Sequence, residues 1–338
     1  CFLPSKGHRD FKRMFSKLLS SSVPACRRIA SSRQFRASSN CHSPMQHWKS
    51  NHNSCLASLD PSSGIPKVLT REETVEAMRA AVPSNGSGWL AFFSSITGGI
   101  VTDPALMVVP IDDHMVHRGH AVFDTANVKS GKVYGLDFHL DRLLKSAKAA
   151  RIDHVPSKDW MKQVVLHTVA STGRRDGIFV RYWLSCCRGD FLVSPSRCPP
   201  IPSFYCMVHE GGSRDKALLS HHAGIREALV SAELVPHKPK LLANTKTNNY
   251  LLNALTAMAA EERGGALGIG VDSAGNITEQ ATACVAFLCK DGSEGGVLRV
   301  PPFSPILEGT TLQRALELVK PIPGVFSGRV ETDKPVPA

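Results

Sequence analysis

The stretch Asn244-Thr245-Lys246-Thr247-Asn248-Asn249-Tyr250-Leu251 decides how this chain is read. A lysine stands among small and polar residues, directly before the apolar pattern Leu251, Leu252, Ala254, Leu255, Met258. That spacing predicts an amphipathic helix to about Arg263, stopped by Gly264-Gly265. Lys246 then falls at a loop-to-helix junction with its amine directed away from the helix core. A single lysine in such a place is ordinarily a solvated side chain. Its meaning depends on three other stretches.

The first is Leu136, Leu140, Leu143, Leu144 and Ala147, an apolar stripe that predicts a helix from about Asp137 to Ala150 with Arg142 beside the stripe. The second is Glu279, which follows the turn Asp272-Ser273-Ala274-Gly275-Asn276. Leu267–Val271 and Cys284–Leu288 read as the strands flanking that turn. The third is Glu308-Gly309-Thr310-Thr311, which predicts a helix start, with Pro321 as the stop. Taken alone, Glu279 is a turn carboxylate, Arg142 a helix residue with an apolar stem and Thr310 a cap.

Together they suit one cofactor. Pyridoxal phosphate needs a lysine for its imine and an acidic partner for its ring nitrogen. Its phosphate is met by the free N–H groups and dipole of a helix N-terminus, and by the two-pronged guanidinium of an arginine.

Around these stretches the pattern is mixed. Thr70 and Glu73 form a capping-box signature for a helix to about Ala81. Trp89–Phe93 and Ala105–Val109 read as strands about the Gly98-Gly99 turn, and Val122–Val128 turns at Ser130-Gly131 into Val133-Tyr134. A helix from Ser157 to about Ser171 and a strand over Gly177–Leu184 follow. The proline-rich segment 194–202 is expected to link a small domain, 59–193, to a larger one, 203–338, opening with the strand Ser203–Val208.

Composition sets limits. Residues 1–58 hold ten Lys/Arg and one acid, so they supply +9 of the net +11. The rest is nearly neutral, which argues against nucleic-acid binding. No apolar run is long enough to span a membrane. The leader is rich in Ser and Arg and lacks a long apolar segment, the composition of an organelle transit peptide; the alternative is a basic tail. The ten cysteines include no C-x-x-C pair and read as reduced thiols. His114, His117 and His120 have i, i+3, i+6 spacing, but Gly119 and apolar neighbours favour a loop entering a strand, and Cys186-Cys187 reads as a strand-end feature. No metal is expected.

The ordered set resembles the class IV aminotransferases, the fold-type IV pyridoxal-phosphate enzymes, over about residues 86–320. Gly98–Ala105, Asp112–His120, Phe123-Asp124-Thr125, His139–Leu143, Arg181–Ser185, Lys246–Leu251 and Val285-Ala286-Phe287 carry the resemblance. It implies an α+β fold: a small N-terminal α/β domain and a larger pseudo-barrel domain. It implies a Lys246 aldimine, with the same lysine shuttling the substrate proton. It further implies Glu279 at the ring nitrogen, Arg142 with Gly309, Thr310 and Thr311 at the phosphate, and Tyr250 near the ring.

The implied activity is transamination of D-amino acids with a 2-oxo acid acceptor. 4-Amino-4-deoxychorismate lyase, forming 4-aminobenzoate and pyruvate, is the alternative within the fold. A homodimer is implied, and a plastid location, with mitochondrion or cytoplasm as alternatives. Two departures stand out. Gln280-Ala281-Thr282-Ala283-Cys284 lacks the glycine and asparagine usual after the glutamate, and the ending Asp333–Ala338 resembles nothing in the family. The second leads to the expectation of a large domain without its final strands, an open sheet edge and a weak or inactive homologue.

Overall fold

The computed structural model describes residues 66–83, 88–211, 224–290, 295–304 and 306–338; the basic leader lies outside these residues. Residues 66–83 and residues 88–338 belong to separate compact units. In the first, helix α1 (Arg71–Ala80) starts as its sequence predicts. The Thr70 hydroxyl accepts from the Glu73 amide at 3.2 Å, and the Glu73 carboxylate accepts from the Thr70 amide at 2.9 Å.

The second unit is built on a six-stranded sheet. Its strands are β1 (Trp89–Ser94), β2 (Gly99–Val101), β3 (Ala121–Lys129), β4 (Lys132–Val133), β5 (Ile178–Ser185) and β6 (Ser203–Glu210), in the spatial order β2-β1-β6-β5-β3-β4. A one-turn helix α2 (His114–His117) precedes β3. Helices α3 (Leu136–Ala149) and α4 (Lys158–Ala170) bury Leu136, Leu140, Leu143 and Ala147 of the first and Met161, Val165 and Val169 of the second. These side chains join Val122, Val180, Leu184 and Phe204 of the sheet in one apolar core.

Two sequence expectations are corrected here. Ala105–Val109 is not a strand. Pro104–Leu106 forms a 3₁₀ turn, because the Asp103 carboxylate accepts from the Ala105 amide at 3.1 Å and proline pre-sets the first turn position. Ser203–Val208 does not open a second domain. It lies within β6, paired with β5 over its whole length and with β1 from Tyr205 to His209. Residues 186–202 are therefore a long connection between antiparallel neighbours.

The later residues form two three-stranded sheets. One has the order β7 (Leu229–Ser231), β8 (Ile269–Val271), β9 (Ile277–Gln280); the other is β10 (Phe287–Cys289), β11 (Gly296–Arg299), β12 (Phe326–Glu331). The turn at 272–276 is present, but the partner of β8 is β9, not Cys284–Leu288. Asp272 accepts from the Ala274 and Asn276 amides, which closes the turn early and lets the strand resume at Ile277.

Helices α5 (Lys240–Asn244), α6 (Leu251–Glu261) and α7 (Thr310–Leu318) complete the unit. Gly264, at φ +71, follows α6 as the sequence predicts. β12 runs parallel to β11, Val336 is buried, and its carbonyl accepts from the Ile277 amide at 2.7 Å.

Candidate active site

Lys246 is mounted on the sheet rather than on a helix. β4 covers only the far end of β3, and the near end takes residues 246–248 as a short antiparallel partner. The Phe123 amide donates to the Lys246 carbonyl at 2.9 Å, and the Asn248 amide donates to the Ala121 carbonyl at 3.0 Å. The Lys246 amide donates to the Ser146 hydroxyl on α3 at 3.2 Å. The backbone of the lysine is thus fixed on both sides, and its side chain enters a cavity of about 710 Å³.

Within that cavity the ammonium lies 3.1 Å from the Tyr250 hydroxyl and 4.8 Å from the Phe123 ring centre. Burial, with Arg142 and Arg181 nearby, brings its pKa down from 10.5 to about 8, against the opposing pull of Asp124 and Glu279. Burial raises the Tyr250 phenol, so it stays protonated at neutral pH.

Arg142 leaves α3 toward the same cavity. Its Nε and one terminal nitrogen donate to the two oxygens of buried Asp124 on β3, each at 2.8 Å. The other terminal nitrogen donates to the Glu308 carbonyl at 3.3 Å, just before α7. Burial alone would raise the Asp124 carboxyl, but hydrogen bonds from His139 and Arg142 outweigh it and carry the group down to about 2. The Arg142 guanidinium is fully charged; burial opposes this and the Asp124 pairing more than offsets it. This carboxylate–arginine fork points the guanidinium at the start of α7, where Gly309 is the cap residue with no side-chain hydrogen bond. A Cβ at Gly309 would stand 2.5 Å from the Cys284 sulfur, so no larger residue fits that rim.

Glu279 lies on β9 at another part of the cavity wall. One oxygen pairs with the Lys238 ammonium at 2.5 Å, and the other accepts from the Leu307 amide at 3.1 Å. Asn253 of α6 donates to the Ala281 carbonyl at 2.6 Å and holds the strand exit. Asn244 donates to the Phe303 and Ile306 carbonyls and fixes the approach to α7.

All seven residues singled out by sequence, Arg142, Lys246, Tyr250, Glu279, Gly309, Thr310 and Thr311, line this one cavity. Sequence reasoning assigned no role to Asp124, His139, Arg181, Lys238 or Cys284, which line it too. The first three lay in stretches that carried the family resemblance. Lys238 had only the cluster His237-Lys238-Pro239-Lys240 as a signal. Cys284 stands in the stretch after Glu279 that departs from the family, and its thiol fills space against Gly309 and donates to the Leu307 carbonyl at 3.3 Å. His114 is buried away from these residues, on the turn before β3.

Known proteins resemble this chain in sequence and in fold. A family model described as amino-transferase class IV matches residues 121–329, a span that contains all seven residues. The chloroplastic D-amino-acid transaminase of Arabidopsis thaliana is 40% identical over 280 residues, covering 83% of this chain and 70% of that protein. The bifunctional aminodeoxychorismate lyase / D-amino acid transaminase of Mycobacterium tuberculosis is 27% identical over 229 residues, covering 66% of this chain and 76% of that protein. Among solved structures, a fold IV-transaminase from Curtobacterium pusillum superposes with a TM-score of 0.55 at 28% identity, over 71% of this chain and 78% of that one. A branched-chain aminotransferase from Thermoproteus uzoniensis superposes with a TM-score of 0.59 over 74% of this chain and 79% of that one; at 20% identity it speaks to the fold.

Proposed function

We propose that this chain, which belongs to the class IV aminotransferases and is a pyridoxal-phosphate-dependent enzyme, moves the amino group of a small D-amino acid to a 2-oxo acid. The observation that carries the reaction type is the meeting of Lys246, Glu279, Arg142 and the start of α7 in one cavity. The similarity to a plant protein named for D-amino-acid transamination supports the substrate class.

The residues present fit the cofactor. Arg142 and the Thr310 and Thr311 amides, left open by a cap that has no side chain, would hold its phosphate. Glu279 would hold its ring nitrogen, Tyr250 its ring oxygen and Lys246 its aldehyde carbon. Pyridoxal phosphate, when bound, supplies the electron sink that stabilises negative charge at a substrate carbon.

The chain's own residues do the rest. At pH 8 about half of the Lys246 side chains are neutral, so the amine acts as nucleophile and as base at the substrate α-carbon. The Tyr250 hydroxyl orients that amine. Lys238 and the Leu307 amide hold the Glu279 carboxylate in place before any ligand arrives. The Asp124–Arg142 fork keeps the guanidinium from swinging into the space where substrate must sit.

The test is an absorbance spectrum of the purified chain with added pyridoxal phosphate, then D-alanine. A visible band that bleaches with D-alanine, and is absent in Lys246→Ala, is the expected result. Cofactor uptake by the apo chain is expected to quicken as pH rises through about 8, since only the neutral amine attacks. A band that persists with D-alanine but bleaches with L-amino acids would overturn the substrate class.

A second reading, aminodeoxychorismate lyase, is kept because the M. tuberculosis relative carries both activities in its name. Release of 4-aminobenzoate from aminodeoxychorismate distinguishes it. A plastid is the proposed location, supported by the chloroplastic relative. A homodimer is the proposed assembly, as the family resemblance implies. No helix among the described residues is long and apolar enough to cross a membrane.

A further inference from the structure

The three histidines at 114, 117 and 120 do not converge on one point. His120 Nε2 lies 2.8 Å from the Ala150 carbonyl, and the His117 ring packs against Phe191 at 4.8 Å. His114 turns inward instead, fully buried, toward two cysteines far away in sequence. One ligand atom each from His114, Cys187 and Cys198 lie within 4.8 Å of one another, and all three residues are buried. His114 Nε2 is 3.7 Å from the Cys198 sulfur and 3.7 Å from Asp190 Oδ1.

The backbone around this cluster is tightly held. The His114 amide donates to the Cys187 carbonyl at 3.1 Å, and the Gly189 amide to the Asp112 carbonyl at 3.4 Å. Arg188 pairs with Asp112 at 3.0 Å. Buried Asp113 caps α2 through the Met115 amide, and it also accepts from the Ser185 hydroxyl and, at 2.6 Å, from the Tyr205 hydroxyl. Cys198 is set by the 3₁₀ turn Pro195–Arg197, with its amide on the Pro195 carbonyl at 3.0 Å. Inside this frame, His114 Nδ1 and Asp190 Oδ2 are buried with no hydrogen-bond partner among the described residues. The cluster is buried at His114, Cys187 and Cys198, while Asp190 keeps 22% side-chain exposure; the atoms that face one another are His114 Nε2, the Cys198 sulfur and Asp190 Oδ1.

We propose that His114, Cys187 and Cys198, with Asp190 as the fourth ligand, form a structural zinc site. In a tetrahedral zinc site, with bonds of about 2.3 Å to sulfur and 2.0–2.2 Å to nitrogen or oxygen, neighbouring ligand atoms lie roughly 3.3–3.8 Å apart. The His114–Cys198 distance of 3.7 Å is close to the roughly 3.5–3.6 Å expected between a nitrogen and a sulfur ligand, and the His114–Asp190 distance of 3.7 Å is a few tenths of an ångström wider than a nitrogen–oxygen pair would take. Two thiolates and an imidazole favour zinc over magnesium or calcium, which take oxygen ligands. Four protein ligands leave no open position, so the ion is structural and takes no part in the transfer chemistry.

Its place explains its use. The connection 186–202 is longer than most loops in compact domains, and the ion ties it to the turn that enters β3. The first residues of β3 are those that hold the Lys246 backbone. The site therefore steadies the platform of the nucleophile without touching it. Spacing concealed it, since the ligands come from a turn, a strand exit and a loop and contain no C-x-x-C pair.

The test is the metal content of the full chain, purified in reducing buffer without chelator and measured by inductively coupled plasma mass spectrometry. About one zinc per chain is expected, falling to below roughly a tenth in Cys187→Ser/Cys198→Ser and unchanged in Cys289→Ser. If the double variant does not fold, X-ray absorption on the wild-type chain decides. Two sulfur neighbours near about 2.3 Å and two lighter ones near about 2.0 Å support the site, whereas a shell of oxygen and nitrogen alone overturns it. Zinc-free protein that gives no thiolate charge-transfer band with added cobalt(II) also overturns it. So does a Cys187–Cys198 disulfide found by mass spectrometry in the reduced preparation.

Discussion

In residues 88–211 the apolar side chains from Ala91 to Val208 form one continuous core, whereas in residues 224–338 the comparable cluster holds Val230, Val235 and Ala260. The helices show the same contrast. α3 buries a full stripe of leucines, while α6 buries only Asn253 and Ala260 and leaves Leu251 at 70% and Met258 at 55% exposure. α7 buries none of its residues. Yet Lys246, Glu279 and the start of α7 all belong to the later region. That region is held at the cavity by polar bonds: Lys238 to Glu279, Asn244 to two carbonyls, Asn253 to Ala281. One continuous core packs the first region; the second buries Val297, Val300, Ile306 and Phe326 outside that small cluster and orients its cavity residues by directional bonds.

The sharpest test lies where the regions meet. Arg142→Ala leaves Asp124 buried with His139 as its remaining side-chain partner, and a broken buried ion pair costs about 3–5 kcal/mol. Urea unfolding measures it, and adding Asp124→Asn should recover part of the loss. A double variant as unstable as the single would show that the charge is not the cause.

The packing contrast itself predicts the next effect. Leu140→Ala, at a fully buried position, should cost about 2–5 kcal/mol. Leu255→Ala, at 36% exposure, should cost about 1 kcal/mol or less. Equal losses by chemical denaturation would break the comparison.

Acid provides a third measurement. The Asp124 carboxyl sits lower in the fold, at about 2, than its ordinary 3.8. Its contribution of about 2 kcal/mol is therefore complete above pH 4 and lost as pH falls through about 2. Stability of Asp124→Asn should show a flatter acid limb than wild type. The smallest effect belongs to Lys145, whose bond to Glu308 joins the same regions at the surface. Lys145→Ala should change stability by under about 1 kcal/mol, and added salt should mask even that.

The contrast also marks what could be read from sequence. The stripe Leu136, Leu140, Leu143, Ala147 is a local pattern, and the helix it predicts forms nearly end to end. The α6 boundaries and the Thr70 capping box are local in the same way. The partner of β8 was misread because two candidate strands follow one turn, and only the turn's own hydrogen bonds choose between them. Sequence does not say that Ser203–Val208 pairs with β5, because a stiff proline segment looks the same whether it joins domains or neighbouring strands. Site residues were visible where a backbone feature announced them, as at Thr310. Asp124 and Lys238 were not, because their roles lie in partners 18 and 41 positions away.

Because residues 246–248 are pinned to the edge of β3, the Lys246 backbone takes its position from the sheet and not from the helices that follow it. The segment between β7 and α5 carries Lys238, which holds Glu279, and the chain beyond β9 carries Gly309–Thr311, so changes in either reach the cavity wall while the Lys246 backbone keeps its seat on β3.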